Sequence, residues 1–187
     1  MKILLGISGS SSTHLGLKLL KNLENKCELY CIVTEGAKIS FEAENKKNLE
    51  KICQEEFQNI CFLNDNNLSA SVASGSFGIE KTIIAPCSIS SLAKIHAGLA
   101  DTLLMRAAAV ALKERKSLIL GVREMPFSTL NLEHMLKLSQ LGVIIAPPII
   151  ASYSHANNLE QMENFIIGKW LDLLGISHNL YEKWQNF

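Results

Sequence analysis

Hydroxyl, thiol and charged side chains recur directly after short apolar runs in this chain. "KILLGISGSSSTHLG", residues 2–16, ends an apolar run in Gly6, Gly9 and Ser10 to Ser12 and then enters helical spacing. "PCSISS", 86–91, follows "TIIA" with four hydroxyl or thiol groups behind a proline. Arg123 and Glu124 follow "LILGV", and "PPIIASYS", 147–154, follows "VIIA" and carries Tyr153. A glycine turn between a strand and a helix can aim backbone N–H groups and the helix dipole at a phosphate, and serines add hydroxyl donors to the same task. The dinucleotide fingerprint G-x-G-x-x-G is absent, so the first loop alone is equally well a turn that binds nothing.

The remaining candidates are weaker by spacing. Arg106, Val110 and Lys113 fall at i, i+4 and i+7, which puts both cations on one helix face, whether solvated or lining a site. Glu42 and Glu44 point to different helix faces, so at most one serves a ligand. Cys87 has no histidine in a shared motif and is assigned to packing rather than nucleophilic chemistry. The histidines show no metal-ligand spacing, and no metal site is expected. Lys169 reads by spacing as an exposed helix lysine.

These groups need a scaffold that brings strand ends together. Apolar runs at Ile3–Ser8, Glu28–Thr34, Asn59–Leu63, Thr82–Ala85, Ser117–Val122 and Val143–Ala146 alternate with helical patterns at 13–24, 36–57 (with a break), 89–97, 101–115, 129–141 and 158–174. Continuous rather than alternating apolar character suits strands buried on both faces, hence an α/β fold with an open parallel sheet and helices on both sides. Ligands of such sheets gather at the carboxyl ends of the strands. A chain of 187 residues is expected to form one domain, 1–187, and its equal totals of 18 basic and 18 acidic residues give no sign of a nucleic-acid or membrane surface. Five cysteines without a C-x-x-C pair, no signal-peptide pattern and no apolar run of about 18 residues point to a cytoplasmic protein.

"GISGSSS", "ASGSF", "PCSISSLAKI", "DTLLMRAAAVALKERKSLILGVREMP" and "PPIIASYS", in this order over nearly the whole chain, resemble the UbiX-type flavin prenyltransferases. The resemblance implies a flavodoxin-like Rossmann fold, a homododecamer, and transfer of a dimethylallyl group from dimethylallyl monophosphate to reduced FMN without a metal. The product, prenylated FMN, would serve a UbiD-type decarboxylase, a link to ubiquinone synthesis. By position it implies flavin contacts from Gly9, Ser10, Ser11, Thr34, Ser88, Ile89, Ser90, Ser91 and Arg123. The phosphate falls to Arg106, Arg123, Tyr153 and Lys169, and active-site roles to Ser11, Glu44, Arg106, Lys113 and Glu124. The segment 158–187 is expected in oligomer and substrate-site contacts.

Three residues depart from the family pattern: Ser10 and Ser12 stand where the common loop has alanine and glycine, and Lys169 where arginine is frequent. A flavin-dependent cysteine decarboxylase is the alternative enzyme, disfavoured because "PCSISS" lacks the asparagine of the matching segment there. A non-catalytic FMN carrier is the alternative from another class.

Overall fold

In the computed structural model, which describes residues 1–184, six strands form one parallel sheet. They are β1 (Lys2–Ile7), β2 (Glu28–Val33), β3 (Cys61–Leu63), β4 (Lys81–Cys87), β5 (Ser117–Val122) and β6 (Ile144–Ile145), in the order β3-β2-β1-β4-β5-β6. Without the three-residue edge strand β3, the order is the five-strand one of flavodoxin-like sheets, as expected. The chain leaves β1 toward β2 on one side and β4 toward β5 on the other, so the topological switch point lies between β1 and β4.

The strands are where the apolar runs placed them because β1, β4 and β5 are buried along nearly their whole length, with no polar face to show water. Pro86 sits inside β4 without breaking the sheet, since the β4–β5 register shifts between Ile84 and Cys87 where its missing N–H would otherwise be needed. The expected helix 36–57 is two helices, α2 (Glu35–Asn45) and α3 (Leu49–Glu56). Lys46 adopts the left-handed conformation at φ 55° and ends α2, and the Asn48 side chain accepts the Lys51 N–H at 2.8 Å to start α3.

Helices α1 (His14–Leu23), α4 (Ile89–His96), α5 (Leu103–Lys113) and α6 (Thr129–Gln140) complete this part of the chain. On α1, Leu15, Leu19, Leu20 and Leu23 are buried at the i, i+4, i+5 and i+8 positions of one face. Each such leucine contributes about 1.5–3 kcal/mol relative to exposure. The start of α5 is anchored near the end of β3: the Asp65 carbonyl accepts the Leu103 N–H at 2.7 Å and its carboxylate the Leu104 N–H at 2.8 Å. α5 therefore begins at the carboxyl edge of the sheet and ends at the amino edge, four residues before β5 begins.

The chain divides into two compact units, Met1–Pro147 and Pro148–Phe187. The second holds the helix α7 (Leu159–Leu174), started by the Asn158 side chain, which accepts the Gln161 N–H at 2.9 Å. In it Trp170, Leu171 and Leu174 are fully buried, and the tail after α7 is described as far as Trp184. The last three residues of the segment 158–187 lie outside the described residues. Among the described residues no helix is long and apolar enough to cross a membrane.

All five cysteines are free. Burial pushes the Cys87 thiol up to about 12, and burial with the charges of Glu50 and Glu56 does the same to Cys53. Complete burial raises Cys31 as well. Thiolate is the reactive form, so these three should react with a disulfide reagent only after denaturation, while Cys61, which is exposed, reacts in the native protein. A thiol titration with and without denaturant measures this, and fast native labelling of Cys87 would reopen it as a nucleophile.

Candidate active site

The carboxyl edge of the sheet is a row of four loops joined by hydrogen bonds. Thr34 N–H donates to the Ile7 carbonyl at 3.0 Å, extending the β1–β2 pairing by one residue. Across the switch point, the Ser8 hydroxyl donates to the Pro86 carbonyl at 3.2 Å and accepts the Ser88 N–H at 2.8 Å, while Ser8 N–H donates to the same carbonyl at 3.1 Å. Arg123 N–H donates to the Cys87 carbonyl at 3.0 Å. Thr34, the Gly9–Ser11 loop, Ser88–Ser91 and Arg123 thus stand side by side, as the sequence expectation required.

Gly9 fits because it has no side chain. A Cβ there would lie 2.5 Å from the Gly36 carbonyl carbon and 2.7 Å from its oxygen, both backbone atoms that cannot step aside. The loop after β1 therefore rests directly on the first turn of α2, which Thr34 caps by accepting the Ala37 N–H at 3.2 Å. Ser12 adopts φ 68°, and its N–H donates to a Glu44 carboxylate oxygen at 3.2 Å. The glycine usual at this position has no Cβ to strain that conformation, so Ser12 carries a backbone strain that glycine would not. The same hydrogen bond brings Glu44 from the last turn of α2 to the first loop, while Glu42 stays exposed elsewhere on the helix.

What the row leaves unused defines its chemistry. Ser88 caps α4 by accepting the Ser91 N–H at 3.1 Å, and its hydroxyl donates to Ser91 Oγ at 3.0 Å. The N–H groups of Gly9, Ser10, Ser11, Ile89 and Ser90, the hydroxyls of Ser11 and Ser90, and the half-buried Arg123 guanidinium have no partner among the described residues. So many free donors around one crevice suit a ligand that is anionic and rich in acceptors. Glu124, exposed, accepts the N–H of Met125 at 3.0 Å with one carboxylate oxygen.

Two expected cations lie apart from the row. Arg106, half-buried one turn into α5, donates Nε–H to the Ala73 carbonyl at 3.1 Å, and its terminal nitrogens have no partner among the described residues. Lys113 is placed differently within this chain. It lies seven residues further along α5, about 10 Å down the axis, at the amino edge of the sheet, where it pairs with Glu114. Sharing a helix face with Arg106 does not bring it to the strand ends, because α5 runs away from them.

Within the second unit, Tyr153 is held by its ring. Phe165 and Trp184 each meet it edge-on with centroids 5.4 Å away, and its hydroxyl has no partner among the described residues. Lys169 is exposed on α7 and likewise without a partner. Sequence reasoning passed over Gly36, which stands in no motif, and gave no role of its own to Ser8, which lies in the quoted "GISGSSS" loop and is fully buried at the switch point; only pairing with residues far along the chain reveals what either does.

A doubly wound parallel sheet with a row of free donors at its switch point is the architecture of a nucleotide- or flavin-binding α/β protein. Residues 1–171 match the family model Flavoprotein. The flavin prenyltransferase UbiX of Campylobacter jejuni is 85% identical over 187 residues, the full length of both chains. The crystal structure of AnUbiX (PadA1) in complex with FMN and dimethylallyl pyrophosphate has a TM-score of 0.93 at 32% identity, covering 100% of this chain and 98% of that one. That of the dodecameric FMN-dependent UbiX-like decarboxylase from Escherichia coli O157:H7 has a TM-score of 0.91 at 35% identity and covers both chains fully. The chain belongs to the flavoprotein family and, within it, to the UbiX flavin prenyltransferases.

The Gly9–Gly36 contact makes a sharp comparison between two glycines. Gly9→Ala should displace the loop and cost at least tenfold in FMN affinity. Gly36→Ala meets Gly9 Cα only at 3.5 Å, an ordinary contact, and should bind FMN nearly as the parent does. Flavin fluorescence titration of both variants checks this, and equal affinities would sink the role given to Gly9.

Proposed function

We propose that this protein transfers a dimethylallyl group from dimethylallyl monophosphate to reduced FMN, making prenylated FMN for a UbiD-type decarboxylase. The observation that carries the reading is the row of unpartnered donors at the switch point, in a chain 85% identical to a UbiX flavin prenyltransferase. The donor set fits FMN, which offers a phosphate and an acceptor-rich ring edge. Gly9, Ser10, Ser11, Thr34, Ser88, Ile89, Ser90, Ser91 and Arg123 would hold it. When bound, the reduced flavin supplies the nucleophilic ring positions to which the prenyl carbon is joined.

The chain's own groups then have distinct tasks. The prenyl carbon–oxygen bond breaks with both electrons going to the phosphate, whose added charge needs fixed donors. Arg106 offers its terminal nitrogens and Arg123 its whole guanidinium, and the family resemblance gives the Tyr153 phenol and the Lys169 ammonium the same task. Lysine at 169 keeps the charge of the more usual arginine but forgoes a bidentate contact. Ser11, with its free hydroxyl, and the exposed carboxylates of Glu44 and Glu124 are the groups that hold and move protons during bond formation and ring closure.

Self-association belongs to the same reading. Leu132 and Leu136 are one turn apart and exposed on α6, and Met125 and Leu141 beside its ends are exposed too. A second copy of this chain is the occupant we assign to that face, given that the E. coli relative is dodecameric. A cytoplasmic setting agrees with free, largely buried thiols and with a reduced flavin substrate.

Anaerobic incubation with reduced FMN and dimethylallyl monophosphate should give a flavin heavier by one prenyl group. Arg123→Ala should lower kcat/KM by about a hundredfold. Bound FMN of unchanged mass in the parent would overturn the assignment in favour of a flavin carrier. In size-exclusion chromatography with light scattering the parent should run as a dodecamer, and Leu132→Glu with Leu136→Glu as smaller species.

A further inference from the structure

The tail after α7 is tied down by a single carboxylate. Asp172 accepts hydrogen bonds from three tail side chains: Tyr181 OH at 2.5 Å, His178 Nε2 at 3.1 Å and Lys183 Nζ at 3.3 Å. His178 has its tautomer assigned by the surrounding bonds, since its Nδ1 accepts the Leu180 N–H at 3.2 Å and leaves Nε2 as the donor. One turn earlier on α7, a Cβ on Gly168 would lie 2.5 Å from the Tyr181 ring and 2.8 Å from the His178 ring. Both rings therefore lie flush on the helix backbone, in a seat that no other residue at 168 would leave open.

From that seat an unbroken series of ring contacts leads to Tyr153. Tyr181 meets Phe165 edge-on at 4.9 Å, and Phe165 meets Tyr153 at 5.4 Å. Trp184, three residues past Tyr181, closes on the other side of Tyr153 at 5.4 Å. Tyr153 itself sits in a single turn of 3-10 helix, Ser152–Ser154, which has no capping side chain and ends at His155 in the left-handed conformation. The turn fixes the backbone only locally, so the direction of the phenol depends on the rings around it.

We infer that Asp172 is a positioning residue for the prenyl-phosphate site, holding the tail so that Trp184 and the Tyr181–Phe165 pair aim the free Tyr153 hydroxyl at the substrate phosphate. This rests on the reading of Tyr153 as a phosphate donor given above. Burial opposes ionisation of Asp172, but the hydrogen bonds from Tyr181, Lys183 and His178 outweigh it and hold the carboxyl below its ordinary range. A carboxyl lowered on folding contributes its stability above the ordinary value and loses it only as the pH falls through the folded one. The clamp is accordingly charged throughout the neutral range.

The test is a double-mutant cycle read by steady-state kinetics with dimethylallyl monophosphate and by FMN titration. Asp172→Asn should raise KM for the prenyl phosphate about tenfold, with the FMN dissociation constant unchanged. In a Tyr153→Phe background the same substitution should cost nothing further, because the hydroxyl it positions is gone. Tyr181→Phe, which keeps the ring and removes one hydrogen bond, should show a smaller effect of the same kind and serves where Asp172→Asn does not fold. If Tyr153→Phe raises KM while Asp172→Asn and Tyr181→Phe do not, the positioning role is wrong and the reading of Tyr153 stands. Additive effects of Asp172→Asn and Tyr153→Phe, or weakened FMN binding, would reduce Asp172 to a structural residue. If Tyr153→Phe leaves KM unchanged, the reading of Tyr153 fails and the inference with it.

Discussion

The buried hydroxyl of Ser8 holds the two halves of the sheet's carboxyl edge together. At the switch point β1 and β4 hand their chains to opposite sides, and their regular register ends at Gly6 and Ile84. Beyond it Ser8 adds to its backbone bond to the Pro86 carbonyl a hydroxyl that donates to Pro86 and accepts from Ser88. Without the hydroxyl, the Ser88 N–H would be buried with no acceptor, at a cost of about 1–3 kcal/mol. The Thr34–Ile7 and Cys87–Arg123 backbone bonds continue the row on either side, so four loops behave as one rigid edge.

That edge works by dividing its polar groups between two tasks. Ser8, Thr34 and Ser88 use their side chains on the protein's own backbone and so fix the loops. The N–H groups of Gly9 to Ser11 and of Ile89 and Ser90, with the Arg123 guanidinium, are left facing outward without partners. A chain with no net charge thereby concentrates positive potential at one place, from helix N-termini, turn amides and a single guanidinium. Leaving donors unsatisfied costs stability, which is why such groups mark a binding site rather than a packing solution.

The second unit reaches the same division by different means. Its aromatic rings are fixed through edge contacts and through the Asp172 carboxylate, while the Tyr153 hydroxyl and the Lys169 ammonium have no partner among the described residues. Edge-to-face packing restrains a ring without consuming its polar atom, which leaves the Tyr153 hydroxyl available to a ligand. Glu44 shows a third arrangement. One of its oxygens steadies the strained Ser12 turn, and its exposed position keeps the carboxylate within reach of solvent protons.

How much of this was legible in the sequence depends on the range of the interaction concerned. Strands β1, β4 and β5 were readable because a strand buried on both faces must be apolar throughout, and the donor loops because they follow those runs directly. The ordered blocks from "GISGSSS" to "PPIIASYS" carried the family. A break within 36–57 was expected, but its place at Lys46 follows from a left-handed φ that composition does not encode. Tertiary structure alone decided the rest. Ser8 acts on residues 78 and 80 positions away, and Gly9 matters because Gly36 lies against it. Lys113 shares a helix face with Arg106, yet the direction of α5 carries it to the opposite edge of the sheet. Periodicity tells which face a side chain occupies, and only the packed fold tells which end of the molecule that face reaches.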